Sequence, residues 1–244
     1  MADEKFLAIG EAAEMLDVSQ NTLRRWDEQG ILKSVHLNQS KHRRYREEDI
    51  QALLLSKNDL AGKAWKWIAS NEPLEPETSY YCQTRDIFSA RLERMKNDLN
   101  KQEEDNRTAL VVAIAGEIGN NSFDHNVGSW RDIPGIFFGY DVNKRELALA
   151  DRGQGVLTTL RRVRPTLKDD ITALKTAFTE IISGRAPEAR GNGLKFVRQA
   201  IALSGASLTF QSGNGRVKLT DRDKKMRIHR VSNQIQGCLV VIKF

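Results

Sequence analysis

Three short groups of residues have types and spacings suited to holding a ligand. In the stretch 111–125, VVAIAGEIGNNSFDH, Glu117, Asn121 and His125 recur at every fourth position. On a helix that spacing stacks three polar side chains along one stripe, while Val111, Val112, Ile114, Ala115, Ile118 and Phe123 give the apolar face, so the helix reads as one wall of a site. At 151–155 the run Asp-Arg-Gly-Gln-Gly puts Gly153 and Gly155 where a backbone can come close to a ligand. At 190–194 the run Arg-Gly-Asn-Gly-Leu opens a helical segment, and glycines before a helix N-terminus make an anion-binding nest. Each group taken alone also suits ordinary exposed or capping residues; it is the ordered set that points to a site.

The elements that would position these groups follow from pattern. Ile136 to Val142 and Glu146 to Asp151 read as a β-hairpin turning at Asn143-Lys144, which delivers Asp151 to a strand end. A polar, largely helical stretch runs from Val156 to Gly184, and a helix from Lys195 to Ser204. Four strands close the chain, at 206–211, 216–220, 225–231 and 238–244. Upstream, the Glu/Pro stretch 71–78 reads as a linker or surface loop, because each proline fixes φ and discourages helix in the residue before it. Trp65 and Trp67 read as packing anchors, and Phe88, Leu92, Met95 and Leu99 form a helical stripe that either pairs two protomers or covers the next domain.

The first sixty residues have a different grammar. Ile9, Ala12, Ala13 and Leu16 give a one-stripe helix. Ser19 caps a second helix that buries Leu23 and Trp26, leaves Arg24 and Arg25 outward, and ends at Gly30. Arginines near the start of such a helix are where contacts to base edges or phosphates come from. Val35 and Leu37, a polar tip at 38–40, and the cationic run 41–46 read as a two-stranded wing. A closing helix follows from Glu47, with acidic residues in its first turn as the helix dipole favours.

Residues 9–13 (IGEAA), 22–26 (TLRRW), 30–32 (GIL), 42–45 (HRRY) and Asp49-Ile50 resemble the winged-helix DNA-binding domain of the MerR and excisionase-like families, over about residues 6–55. The resemblance implies that Arg24 and Arg25 enter the major groove of double-stranded DNA and that Arg43, Arg44 and Tyr45 belong to the backbone-gripping wing. The long antiparallel helix that usually follows in MerR regulators is replaced here by a different sequence. The second set, Glu117-x3-Asn121-x3-His125, Asp151-x-Gly153-x-Gly155 and Gly191-x-Gly193-Leu194, resembles the GHKL ATPase domain shared by gyrase and histidine kinases, over about 105–244. It implies a Bergerat-type ATP-binding fold in which Asn121 ligates Mg²⁺ and Asp151 accepts from the adenine amine. Gly153 and Gly155 would allow adenine and lid contacts, and Gly191, Gly193 and Leu194 would cradle phosphates with Arg190 beside them. The residue types suit those roles, since an amide oxygen serves a hard cation already crowded by phosphate and a carboxylate accepts well from an exocyclic amine. Glu117 is either a general base or an acid that only positions a ligand. No phosphorylatable histidine hairpin precedes this domain, which argues against an ordinary sensor kinase.

The expected organisation is therefore two domains: a small, mostly α winged helix-turn-helix over 1–57, a linker and helical connector over 58–104, and an α/β two-layer sandwich over 105–244. The net charge is +6, yet residues 1–60 carry 9 Lys/Arg against 11 Asp/Glu, so a nucleic-acid role rests on local clusters rather than on overall basicity. Cys82 and Cys238 are too few and too far apart for a disulfide framework or a metal site. The N-terminus has no export signal and the chain no long apolar run, so a cytoplasmic location is expected. The function expected is a homodimeric transcriptional regulator whose ATP-binding domain modulates DNA binding. The alternatives are a protein kinase or ATPase acting on a protein partner, and a nucleotide fold kept only as an interaction module.

Overall fold

Ser19 starts the second helix by an N-cap: its backbone is extended (φ −75°, ψ 154°) and its hydroxyl accepts from the Thr22 amide at 3.0 Å, satisfying one of the donors a helix start leaves open. The computed structural model describes residues 5–16, 18–36, 42–56, 59–101, 106–181, 193–221 and 226–244. Its N-terminal part runs β1 (Phe6–Ala8), α1 (Ile9–Leu16), α2 (Gln20–Glu28), β2 (Val35–His36), β3 (Arg43–Arg46) and α3 (Glu47–Ser56). Gly30, at φ +74°, takes the chain out of α2 through a left-handed turn. The polar tip expected at 38–40 lies outside the described residues. The strands form a three-stranded sheet rather than a two-stranded wing: β3 is central and pairs antiparallel with β2 and with β1. A three-residue strand is too short for alternation to reveal it, and β1 exists because Leu7 joins Leu16, Leu23, Leu32, Tyr45 and Ile50 in one small core.

α4 (Leu60–Ala69) follows, and the chain divides into two compact units between Lys66 and Trp67. The second unit continues with β4 (Tyr81–Cys82), α5 (Arg85–Asn100), α6 (Asn106–Asn126), β5 (Ile136–Asp141), β6 (Glu146–Asp151), α7 (Gly155–Arg161), α8 (Asp170–Thr179), α9 (Gly193–Ser204), β7 (Ser207–Thr220) and β8 (Arg227–Lys243). Its sheet has the order β4-β5-β6-β8-β7 with every neighbouring pair antiparallel. The hairpin β5–β6 turns through 142–145, with Arg145 at φ 51°.

Alternation along β5 separates the two faces of the sheet. Phe138 meets Phe88 of α5 edge-on at 5.1 Å between ring centroids, whereas Phe137 turns the other way, stacked on Tyr80 at 5.0 Å and 6.4 Å from Trp67. One layer of helices therefore covers one face, giving the expected two-layer α/β sandwich. Phe88, Met95 and Leu99 of α5 lie in the same buried core as Ile114 and Ile118 of α6. The stripe placed in the 58–104 connector thus covers the sandwich.

At the C-terminal end the four expected strands are two. β7 and β8 form one long hairpin, with register shifts between Ser212 and Gly213 and between Gly213 and Gly215. Glycines inside a strand pattern look like breaks, and here they mark bulges that keep the strand continuous while bending it. Gly213, at φ +59°, sits so close to the Asp170 carboxylate that a Cβ would overlap it, and the Asn214 amide donates to that carboxylate at 3.1 Å.

Candidate functional site

Asp151 forms the floor of the site. It ends β6, a central strand, and is held opposite Ile136 on one side and Cys238 on the other; it is 2% exposed. Donors converge on its carboxylate: Ser122 Oγ gives 2.8 Å to Oδ2, the Gly153 amide (3.0 Å) and Asn126 Nδ2 (3.3 Å) reach Oδ1, and the Cys238 backbone amide adds to them. Burial raises the carboxyl to about 6 although those hydrogen bonds pull it down, because desolvation penalises the charged form. Burial also pushes the Cys238 thiol well above its usual range, with the Asp151 charge adding to the effect, so this thiol stays protonated.

Ser122 and Asn126, which no motif spacing marks, are the α6 side chains that hold Asp151. They stand four residues apart, one position on from the Asn121/His125 stripe, on the side of α6 that meets the end of β6. Asn126 Nδ2 also donates to the Ser122 carbonyl at 2.8 Å, and its Oδ1 accepts from the Gln154 amide at 2.9 Å. A Cβ on Gly153 would overlap the Asn126 amide, so glycine at 153 is required by the packing of α6 against the turn. Gly155 is required by its own backbone, at φ +76°, and by Ser212, whose Oγ would lie 2.9 Å from a Cβ there. That hydroxyl accepts from the Val156 amide at 2.9 Å and donates to the Gly237 carbonyl at 3.1 Å, pinning the start of α7 to the β7–β8 hairpin.

Glu117 and Asn121 of the first group meet Gly193 of the third at the other end of the wall. Asn121 Nδ2 donates to Glu117 Oε1 at 3.1 Å, both side chains being half-buried. Gly193, the first residue of α9, sits over them: a Cβ there would overlap Glu117 Oε1 and come 2.8 Å from Asn121 Nδ2. The N-terminus of α9 therefore faces the carboxylate and the amide of α6 at close range. Leu194 packs against the main core, which fixes the entry of α9. Arg190 and Gly191 lie outside the described residues. His125 is kept neutral by burial, with the Arg162 charge as a second cause, so that its pKa is lowered; its carbonyl accepts from Gln154 Nε2 at 3.0 Å. Asp124 turns away to an ion pair with Arg85. Among the described residues there is no group of three His, Cys, Asp or Glu able to hold a metal ion. A cation here would need a ligand's own oxygens as well as Asn121.

In the N-terminal unit, Arg24 and Arg25 are exposed on α2, and Arg24 Nη1 donates to Asn21 Oδ1 at 2.5 Å. Arg44 is exposed on β3. Arg43 is engaged internally: its Nε donates at 3.0 Å to Asp27, which also accepts from the Ser34 amide (2.9 Å) and hydroxyl (2.7 Å). Burial would raise the Asp27 carboxyl, but the Ser34 and Arg43 donors outweigh it and hold it below the usual carboxylate range. Tyr45 is fully buried, with its hydroxyl 3.4 Å from the Leu23 carbonyl. It carries α2 on β3, so its side chain is part of the core and not of the outer surface.

Residues 9–45 match the family model described as MerR family regulatory protein. No curated protein matches the chain. Among solved structures it is similar to the 43K ATPase domain of Thermus thermophilus gyrase B in complex with an aminocoumarin, with 16% identity and a TM-score of 0.32, over 53% of this chain and 32% of that one. The chain thus spans about a third of that structure's length. A MerR-type helix-turn-helix is followed in this protein by an antiparallel α/β sandwich. Among the described residues no helix is long and apolar enough to cross a membrane.

Proposed function

We propose that the protein is a DNA-binding regulator whose second unit binds Mg-ATP and so modulates the hold of the first on DNA. The observation that carries this reading is the convergence of the three groups on α6: the Asp151 carboxylate buried at one end, and Glu117, Asn121 and the start of α9 meeting at the other. In this reading Asp151 accepts from the adenine amine and the Gly153 turn lies along the base. The N-terminus of α9, with Gly191, Gly193 and Arg190, receives the phosphates. Asn121 Oδ1, which accepts no hydrogen bond from the described residues, is the protein oxygen offered to Mg²⁺, which neutralises phosphate charge when bound. Arg24, Arg25 and Arg44 supply the DNA contacts.

The test is DNA affinity at fixed salt with and without Mg-ATP, in the wild type and in Asn121→Ala. Nucleotide should change the affinity in the wild type and leave Asn121→Ala unmoved; a wild-type affinity indifferent to saturating Mg-ATP sinks the proposal. A second reading, ATP hydrolysis or transfer to a protein partner, is favoured by Glu117, a half-buried carboxylate one helical turn from Asn121 and beside the start of α9. Glu117→Gln should then lower turnover while sparing nucleotide binding, and labelled ATP that yields neither hydrolysis nor transfer removes that reading.

A further inference from the structure

Arg152 takes no part in the roles assigned above, yet it lies between Asp151 and Gly153 and is 1% exposed. Asp151 is turned to α6, and Arg152, next along the chain, is turned to the opposite side, as successive residues at a strand end are. There Asp132 holds the guanidinium with both oxygens, Nη2 at 2.5 Å from Oδ2 and Nε at 3.0 Å from Oδ1. Nη1 donates to the carbonyls of Trp67 (2.8 Å) and Ser70 (2.7 Å). The Arg152 hydrogen bonds hold the Asp132 carboxyl below its usual range. The Trp67 ring lies 5.9 Å from the guanidinium carbon, and its Nε1 donates to the Leu74 carbonyl at 2.8 Å.

The two carbonyls belong to the C-terminal end of α4, where a helix leaves acceptors unsatisfied and its dipole favours a cation. Burying an arginine is costly unless its donors are used, and an apolar side chain would fill the same volume without that cost. What an arginine adds is a planar fork that joins three segments at fixed geometry: the glycine turn, the loop after α6, and the end of α4. α4 is also the helix within which the chain divides into its two units, between Lys66 and Trp67.

We propose that Arg152 is the positioning residue through which a nucleotide bound at Asp151, as proposed above, acts on α4, and through α4 on the helix-turn-helix. This rests on the nucleotide-regulated reading above. A ligand at Asp151 and Gly153 displaces the turn that carries Arg152, and a hydrogen-bonded fork answers by holding or releasing the α4 carbonyls rather than by stretching.

The test uses the full-length chain, Mg-ATP and a mixed-sequence DNA duplex at fixed salt, and reads nucleotide affinity, amide hydrogen exchange over residues 67–74, and DNA affinity with and without nucleotide. In the wild type Mg-ATP should alter exchange at 67–74 and change the DNA dissociation constant by about fivefold or more. Arg152→Lys keeps the charge but cannot span Asp132 and both carbonyls, and Asp132→Asn keeps the arginine and the volume while loosening its hold. Both variants, once saturated with Mg-ATP, should lose both responses. A folded variant of either kind that binds Mg-ATP and still transmits the full change overturns the relay and leaves the regulator reading standing. So does a wild type whose DNA affinity responds to Mg-ATP with exchange at 67–74 unchanged. Bound Mg-ATP without any effect on DNA affinity in the wild type overturns both.

Discussion

At the scale of single residues, the proposed base contact depends on one proton. Asp151 is raised from 3.8 to about 6 by burial, so the native state holds that proton more tightly than the unfolded chain does. The sign follows: this group favours folding most below about pH 4, loses that contribution as pH rises from about 4 to about 6, and above that leaves a buried carboxylate costing on the order of 3 kcal/mol. An amine donated by a ligand favours the ionised form, so it offsets part of this cost. ADP affinity should therefore strengthen as pH rises through 6, by up to about tenfold per unit, and Asp151→Asn should flatten the profile, leaving only the phosphates' own titration. Parallel profiles for the two proteins would take Asp151 out of the base pocket. In the N-terminal unit the Asp27–Arg43 ion pair divides the arginines the same way. Arg24→Ala should relax sequence preference and Arg44→Ala should lower the salt slope of binding by about one. Arg43→Ala should instead lower the melting temperature, since it leaves Asp27 short of a donor.

At the scale of elements, helices and hairpins with clear periodicity were legible in the sequence, and what was missed has identifiable causes. α1, the Ser19 cap of α2, the β5–β6 hairpin and the start of α3 stand where apolar spacing and capping place them, because these signals are local. β1 and β4, three and two residues long, exist only through partners distant in the chain and leave no pattern. The convergence of Glu117, Asn121 and Gly193 was implied by the ordered motifs; the roles of Ser122, Asn126 and Arg152 were not, since each depends on which strand end or helix end lies opposite. Packing between α5 and α6 shows the same dependence. A Cβ at Gly119 would overlap the ring of Phe88, which is buried between Phe123 and Phe138 and has nowhere to go. Gly116 meets only the end of Leu92, at 3.2 Å. Alanine gains up to about 1 kcal/mol over glycine inside a helix, while overpacking costs about 1–3 kcal/mol. Gly119→Ala should thus destabilise in denaturant titrations and Gly116→Ala should be neutral or stabilising; equal effects would mean that the α5–α6 contact yields freely.

At the scale of the whole molecule, two compact units on one chain need not share an equilibrium. A ligand moves a conformational balance only by the difference in its affinity for the two states, so joining a helix-turn-helix to a unit proposed to bind nucleotide would create regulation only if each unit's ligand alters the other's free energy. Thermal unfolding separates the cases. Mg-ATP at about a hundred times its dissociation constant adds about 2.7 kcal/mol to whatever folded unit binds it. If the units are independent, Mg-ATP raises one transition, duplex DNA raises the other, and the two shifts add. If they are coupled, the shifts in the presence of both ligands depart from the sum, by a free energy of the same size whichever ligand is added first, because linkage between binding sites is reciprocal. We expect the second outcome, with a departure of about 1–3 kcal/mol that disappears in Asn121→Ala along with the Mg-ATP shift itself. Strict additivity in a chain that binds both ligands would leave two functional units tethered together and no regulator.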